Sequence, residues 1–461
     1  MADPAQEKSA LFVATLTSFM GPFMISSVNV ALPSIQKEFS VDAIQLSWIA
    51  TSFMLAVAIT LVPAGRIADI YGRKKVFASG LFFYTLASLF AGFSKTVEML
   101  VFFRVMQGLG TAMFVSTGMA ILTSIFPPQT RGRVIGIYVA AVYVGLSVGP
   151  FAGGILIQHI GWRSIFFVVF PFGAVSIYIT LKYLKGEWAD AKGEGLDVVG
   201  TILYAVSIPA LVYGASILPD TNAAYLMAAG IVCFYAFIRR QLKVRHPIFE
   251  VRLFAENRLF TFSSLAALIH YSATFAITFL LSLYLQYIKG ISPQGAGIIL
   301  IAQPVMMAAF SPFAGRLSDR IEPRKIASSG MLITVCGLLL FAFIGKTTGN
   351  PYIVCVLAML GFGFALFSSP NMNAIMGSVE KRLYGIASGA VATMRLLGQM
   401  ISMTIAMVVF AIFIGHEEIS PLNYDRFLTG VRISFLISAF MCSVGIFFSL
   451  FRGELRNEQA K

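Results

Sequence analysis

"GRIADIYGRKK", Gly65 to Lys75, closes a long apolar run, and about 250 residues later "GRLSDRIEPRK", Gly315 to Lys325, closes another with Gly, Arg and Asp in the same relative places. Self-similarity at that period marks a chain built from two copies of one unit. A second pair agrees: "RVIGIYVAAVYVGLSVG" (Arg133 to Gly149) aligns with "RLYGIASGAVATMRLLG" (Arg382 to Gly398), sharing the Arg, the Gly three later, the following Ile and the final Gly.

The units belong in a bilayer. With 57% apolar residues, 12% charged residues and a mean hydropathy of +0.82, the chain has too little polar surface for a soluble globule of 461 residues. A hydrocarbon core about 30 Å thick takes roughly 20 apolar residues per helix, and about fourteen such runs follow one another from Leu11–Pro33 to Phe427–Phe451. The expected fold class is an all-α polytopic membrane protein. Two six-helix bundles at residues 1–185 and 251–461 flank an inserted two-helix hairpin and linker at 186–250. No stretch before Leu11 has the features of a cleavable signal peptide, so the first run is expected to stay as an anchor.

A net charge of +13 raises the question of nucleic acid. With the N-terminus inside and an even helix count, most of the 34 Lys and Arg residues fall on the cytoplasmic side, the densest in "RRQLKVRHPIFEVRLFAENR" between the eighth and ninth runs. That is the asymmetry that orients membrane proteins, and the lipid bilayer, not nucleic acid, is the expected partner. The expected location is the plasma membrane (the cell inner membrane), multi-pass, with both termini cytoplasmic. Cys233, Cys336, Cys355 and Cys442 all lie in apolar runs and suggest no disulfide framework.

Paired bundles around a site near the midplane are the construction of secondary transporters. No phosphate-binding loop of the GxxxxGK[ST] type is present to feed ATP into a cycle, and neither enzyme activity, a cofactor nor a metal is expected. A non-transporting sensor or scaffold is the competing class; the chain has no sizeable soluble module for an output.

The motifs also carry a family resemblance. "GRIADIYGRKK" resembles the loop signature of the major facilitator superfamily, departing where Ile70 stands in a usually basic place. "RVMQGLG" (Arg104 to Gly110) is similar to that superfamily's helix-four Arg–Gln–Gly motif, and "GLSVGPFAGG" (Gly145 to Gly154) to its helix-five exporter signature. With "VNVALP" closing the first run and "GWRSIFFVVFPFG" (Gly161 to Gly173) opening the sixth, the chain resembles the fourteen-helix drug:proton antiporter branch. The resemblance implies multidrug efflux by alternating access, a small amphipathic substrate and proton exchange. It departs in two places: Met24 stands where those antiporters carry an Asp nine residues before the Pro that closes helix one, and Val169 where they commonly have Asn.

Each motif has a physical reading. Asp69, with Arg73, Gly65 and the repeated Gly315 and Asp319, is expected to form a charge latch that breaks as the bundles rock; the alternative is a helix-end charge of topological value alone. Gly145, Gly149 and Gly153 share one face at spacing four and allow a close backbone approach, beside Gly154 and the bend at Pro150, so this stripe is expected to be a hinge or seal.

None of the 21 Asp and Glu residues falls in the interior of a run. Three basic or titratable groups do. Arg104 either acts in coupling, which the resemblance implies, or is pinned by carbonyls of a neighbouring helix. His270 is the interior group that exchanges a proton nearest neutrality, making it the candidate for proton coupling; a hydrogen bond across a helix interface is the alternative. Arg395 breaks the internal symmetry, since Leu146 holds its place in the first copy. An uncompensated arginine there favours an anionic or zwitterionic headgroup as cargo, possible without protons; pairing with carbonyls would satisfy it instead. Asn29, Gln107, Tyr143, Tyr271, Gln303, Asn371, Asn373, Arg395 and Gln399 are the candidates for lining a substrate cavity, and "FMISSVNVALP" (Phe23 to Pro33) is polar enough to contribute through Ser26 and Ser27. A monomer is expected.

Overall fold

The computed structural model describes residues 4–380 and 384–453. Among them all regular structure is helical: α1 (Pro4–Phe39), α2 (Ala43–Tyr71), α3 (Arg73–Gly92), α4 (Val97–Ile125), α5 (Pro128–His159), α6 (Ser164–Tyr183), α7 (Val198–Ser216), α8 (Thr221–Gln241), α9 (Val251–Glu256), α10 (Arg258–Thr274), α11 (Ile277–Leu283), α12 (Pro293–Leu300), α13 (Ala302–Arg320), α14 (Pro323–Ala342), α15 (Asn350–Gly377), α16 (Tyr384–Phe413) and α17 (Tyr424–Phe451). These supply 14 stretches long and apolar enough to cross a membrane. Helix is what such sequences must adopt in lipid, because only helix satisfies each backbone polar group within its own segment.

Local signals set the ends. Thr96, Asn257 and Ser292 each accept a backbone N–H in the first turn of α4, α10 and α12. Prolines open α12, α14 and α15, where no N–H is required.

The ninth apolar run reads as one helix, but the structure breaks it. α10 stops at Thr274, α11 resumes at Ile277, and a wide π turn covers Tyr284–Ile288. The Ser402 hydroxyl of α16 accepts the Ala276 N–H at 3.0 Å, taking a donor that an unbroken helix would spend on its own ladder. Farther on, the Tyr284 hydroxyl donates to the Gly345 carbonyl at 2.7 Å.

Contacts divide the chain into two compact units: Met1–Val41, Gln45–Leu211 and Ala228–Ile248 in one, Asp42–Ile44, Val212–Met227 and Phe249–Lys461 in the other. Within the first, α1 packs on α4, α5 and α6, while α3 packs on α4 and α6. Within the second, α10 packs on α15, α16 and α17, while α14 packs on α15 and α17. The pairings correspond helix for helix under the repeat seen in sequence. Arg382, which opens the second aligned stretch, lies outside the described residues.

Candidate functional site

The glycine stripe of α5 brings it against α1. A Cβ built on Gly145 would sit 2.5 Å from the Phe19 carbonyl oxygen, and one on Gly153 would sit 2.8 Å from the Ser27 Cβ. Two serine hydroxyls of the opening apolar run are spent in this seam: Ser27 donates to the Gly149 carbonyl at 2.9 Å and Ser18 to that of Tyr138 at 2.8 Å. Ser26 is likewise buried, donating to the Pro22 carbonyl at 2.8 Å. These serines tie two helices together instead of lining a cavity. Pro150 and Gly154 are buried in the same helix, and Asn29 is buried on α1.

The latch residues meet partners that sequence reasoning missed. Asp69 accepts Arg73 Nε at 2.9 Å and Nη2 at 2.7 Å, and Arg73 also reaches Asp190 at 2.6 Å. Asp190 belongs to the connection between α6 and α7, which lies over the α2–α3 turn. The Arg73 N–H donates to the Trp188 carbonyl, the Ala191 N–H to the Asp69 carbonyl, and the Lys74 N–H to the Glu187 carboxylate. Gly72, at φ 118°, makes the turn, and Glu187 fills the space its side chain would need. Arg66 pairs with Glu194, whose carboxylate also meets His246 Nδ1 at 2.9 Å. The Arg66 hydrogen bond, with His246 beside it, holds the Glu194 carboxyl below the usual carboxylate range. One signal could have found this strap: Glu187, Asp190, Glu194 and Asp197 place four acids in a short connection adjoining the basic turns.

The second copy is wired differently. Asn373 of α15 donates to Asp319 at 3.2 Å and to Ser318 at 2.9 Å. Gly65 and Gly315 have room for a methyl group, at 3.7 Å from Ser116 and 3.9 Å from Ser369, so neither is demanded by packing in this conformation.

Among the interior groups, Arg104 is fully buried and well supplied. Its Nε donates to the Ile49 carbonyl of α2 at 3.1 Å and its Nη1 to Gln107 Oε1 at 3.0 Å, while the guanidinium lies 4.3 Å above the Phe53 ring. Gln107 passes the chain on to Ser88 at 2.8 Å. The carbonyl-pinned arrangement is thus realised, on a helix contact so close that a Cβ on Gly108 would lie 2.5 Å from the Phe53 carbonyl oxygen.

His270 is buried and stacked on Phe367 at 4.0 Å, with Cys442 Sγ 3.9 Å from Nδ1 and no hydrogen-bond partner for Nε2 among the described residues. Among the described residues no carboxylate forms an ion pair with it. Throughout the described spans, every Asp and Glu sits in a terminal turn.

The cavity candidates separate. Asn371 binds the Ser263 carbonyl at 3.0 Å and takes Arg452 Nη1 at 2.7 Å, a buried structural junction that sequence reasoning did not anticipate because Arg452 follows the last run. Gln107 and Asn373 are engaged as above, and Tyr271 packs edge-on to Phe364 at 5.4 Å. The side chains of Tyr143, Gln303, Arg395 and Gln399 have no hydrogen-bond or ion-pair partner among the described residues. On the first unit an apolar hollow of about 620 Å³ lies between α1 and α5, lined by Leu11, Phe12, Leu16, Phe19, Ile137 and Val144, with Lys8 at one end.

Known proteins agree with this architecture. The family model for the Major Facilitator Superfamily matches residues 11–403 and, in a second match, 263–461. A riboflavin transporter of Clostridioides difficile (strain 630) is 27% identical over 446 residues, covering 97% of each chain. A multidrug resistance protein of Mycobacterium tuberculosis (strain CDC 1551 / Oshkosh) is 29% identical over 407 residues, covering 86% of this chain and 75% of its own. The crystal structure of a bacterial homologue of the human lysosomal transporter Spinster superposes with a TM-score of 0.70 at 17% identity, covering 98% of each chain, and so shares the fold. On these matches the chain belongs to the Major Facilitator Superfamily, and it is a multi-pass membrane transporter and not an enzyme.

Proposed function

We propose that the protein exports hydrophobic or amphipathic compounds by alternating access, as a monomer in the plasma membrane with both termini cytoplasmic, in exchange for protons. The observation that carries the reading is the apolar hollow between α1 and α5. Its volume, about 620 Å³, is of the size that holds one drug-like molecule, and aliphatic and aromatic walls select for apolar surface more than for shape. The relative named for multidrug resistance supports the same class of cargo. The excess of basic residues in the connections at one end of the helices supports the orientation.

Antiport without an interior carboxylate places the coupling on His270, with Arg104 as the fixed charge of the first unit. The stacked ring would take a proton in a conformation that wets Nε2. Transport of a lipophilic fluorescent dye into proteoliposomes, with and without an imposed pH gradient, tests both parts. Wild type should respond several-fold to the gradient and His270→Ala should not. Dye movement indifferent to the gradient in wild type removes antiport, and a full response in H270A removes His270.

A further inference from the structure

Three arginines lie more than six residues from either end of their helices, and two of these have partners. Arg104 has a carbonyl, an amide oxygen and an aromatic face. Arg432 donates Nε to the Ile344 carbonyl at 2.6 Å. Arg395 has nothing: neither a hydrogen bond nor an ion pair is formed by its side chain among the described residues, although its Nε is buried. It lies about a third of the way along the 30-residue α16, roughly 16 Å from the helix start at 1.5 Å per residue.

A guanidinium stays charged, and here its Nε–H is buried without an acceptor while the rest of the half-buried fork is open to a ligand or water within an apolar segment. The chain offers it no acid, since every described Asp and Glu of the spans lies in a terminal turn. Gln399, one turn on and on the same face, is half-buried with its amide also unpartnered. The neighbouring face of α16 is already committed to α10, where a Cβ on Gly398 would lie 2.4 Å from the Leu268 carbonyl oxygen. Two unspent polar groups therefore stand together on one face of a helix that packs tightly elsewhere.

We propose that Arg395 and Gln399 form an anion site for the cargo, the guanidinium taking a carboxylate or phosphate oxygen pair in its fork and the Gln399 amide donating alongside. The substrate class is thereby narrowed to amphiphiles with an anionic head. This rests on the exporter reading above. The same chemistry could come from an acidic lipid headgroup, and the experiment separates the two sources.

The probes are 11-(dansylamino)undecanoic acid, its carboxamide and the corresponding amine. Binding is read from dansyl fluorescence with protein in phosphatidylcholine vesicles and again with phosphatidylglycerol added. Wild type should bind the acid about tenfold more tightly than the amide in both lipids. Arg395→Gln should bring that ratio close to one, Arg395→Lys should keep part of it, and Gln399→Ala should lower it about threefold. An unchanged ratio in R395Q overturns the proposal. If R395Q cannot be recovered folded, unchanged ratios in R395K and Q399A overturn it. Loss of the wild-type preference when phosphatidylglycerol is present assigns the site to lipid and overturns the cargo assignment. Binding is measured without transport, so vesicles that move none of the three probes would remove the exporter reading while leaving the acid-over-amide ratio to decide the site.

Discussion

Gly145→Val should yield almost no folded protein. The Cβ alone would lie 2.5 Å from the Phe19 carbonyl oxygen, 3.2 Å from the Phe23 nitrogen and 3.2 Å from the Pro22 Cβ, and most of that is helix backbone, which has no rotamer to yield. α1 and α5 would have to separate. Separation would break the Ser27 to Gly149 hydrogen bond and loosen contacts along the whole seam, in a solvent where helix association depends on close van der Waals packing. Overpacking costs about 1–3 kcal/mol where side chains can adjust, and more is expected against backbone. The control lies on the same helix: Gly136 has nothing within 4 Å, so Gly136→Ala should not destabilise and should gain up to about 1 kcal/mol from the better helix former. Size-exclusion profiles and thermal midpoints in detergent check both. A monodisperse, normally stable G145V would mean that the seam is not a close contact.

What the sequence disclosed, and what it hid, follows from how far apart partners lie along the chain. The glycines of α5 recur every fourth residue, so their shared face is written in one stretch, and the fourteen runs are long enough to need no tertiary information. The duplicated turns show the two-unit plan because both copies kept Gly, Arg and Asp. The strap is a different matter: Arg66 meets Glu194 and Arg73 meets Asp190, and nothing in either stretch specifies the other beyond opposite charge. Ser26 and Ser27 looked like cavity-lining groups because polarity in an apolar run has two outlets, water or another helix, and only the position of α5 decides between them. For the break at Ala276 the cause is Ser402, on another helix. The missing acid, by contrast, was fully legible, since it needs only the run boundaries.

Asp197→Ala should destabilise the first unit by about 2–4 kcal/mol at neutral pH, with a dependence on pH that identifies the cause. Asp197 is buried at the start of α7, where its Oδ1 accepts the Gly200 N–H at 3.0 Å and Arg240 Nε at 2.7 Å, and its Oδ2 accepts Gln241 Nε2 at 2.8 Å. It joins the start of α7 to the end of α8, and Gln241 carries the connection onward by accepting the Ile248 N–H at 2.8 Å. Removing the carboxylate uncaps α7, at about 1 kcal/mol, and leaves the fully buried Gln241 amide without its acceptor, at about 1–3 kcal/mol. Arg240 adds little, because its side chain is 38% exposed and water replaces the lost partner. Burial by itself raises the Asp197 pKa, but the Gly200, Arg240 and Gln241 hydrogen bonds outweigh it and hold the carboxyl below its ordinary value of 3.8. A folded-state pKa below the unfolded one means that the unfolded chain takes up the proton first as acid is added. The stabilisation is therefore complete above the unfolded value and drains away as pH falls below about 4 toward the lower folded value. Thermal midpoints of wild type and D197A should differ by a constant amount from pH 6 to 8 and converge in acid. A gap that widens on acidification would put the sign, and with it the assignment of Asp197 as a charged cap, in the wrong direction.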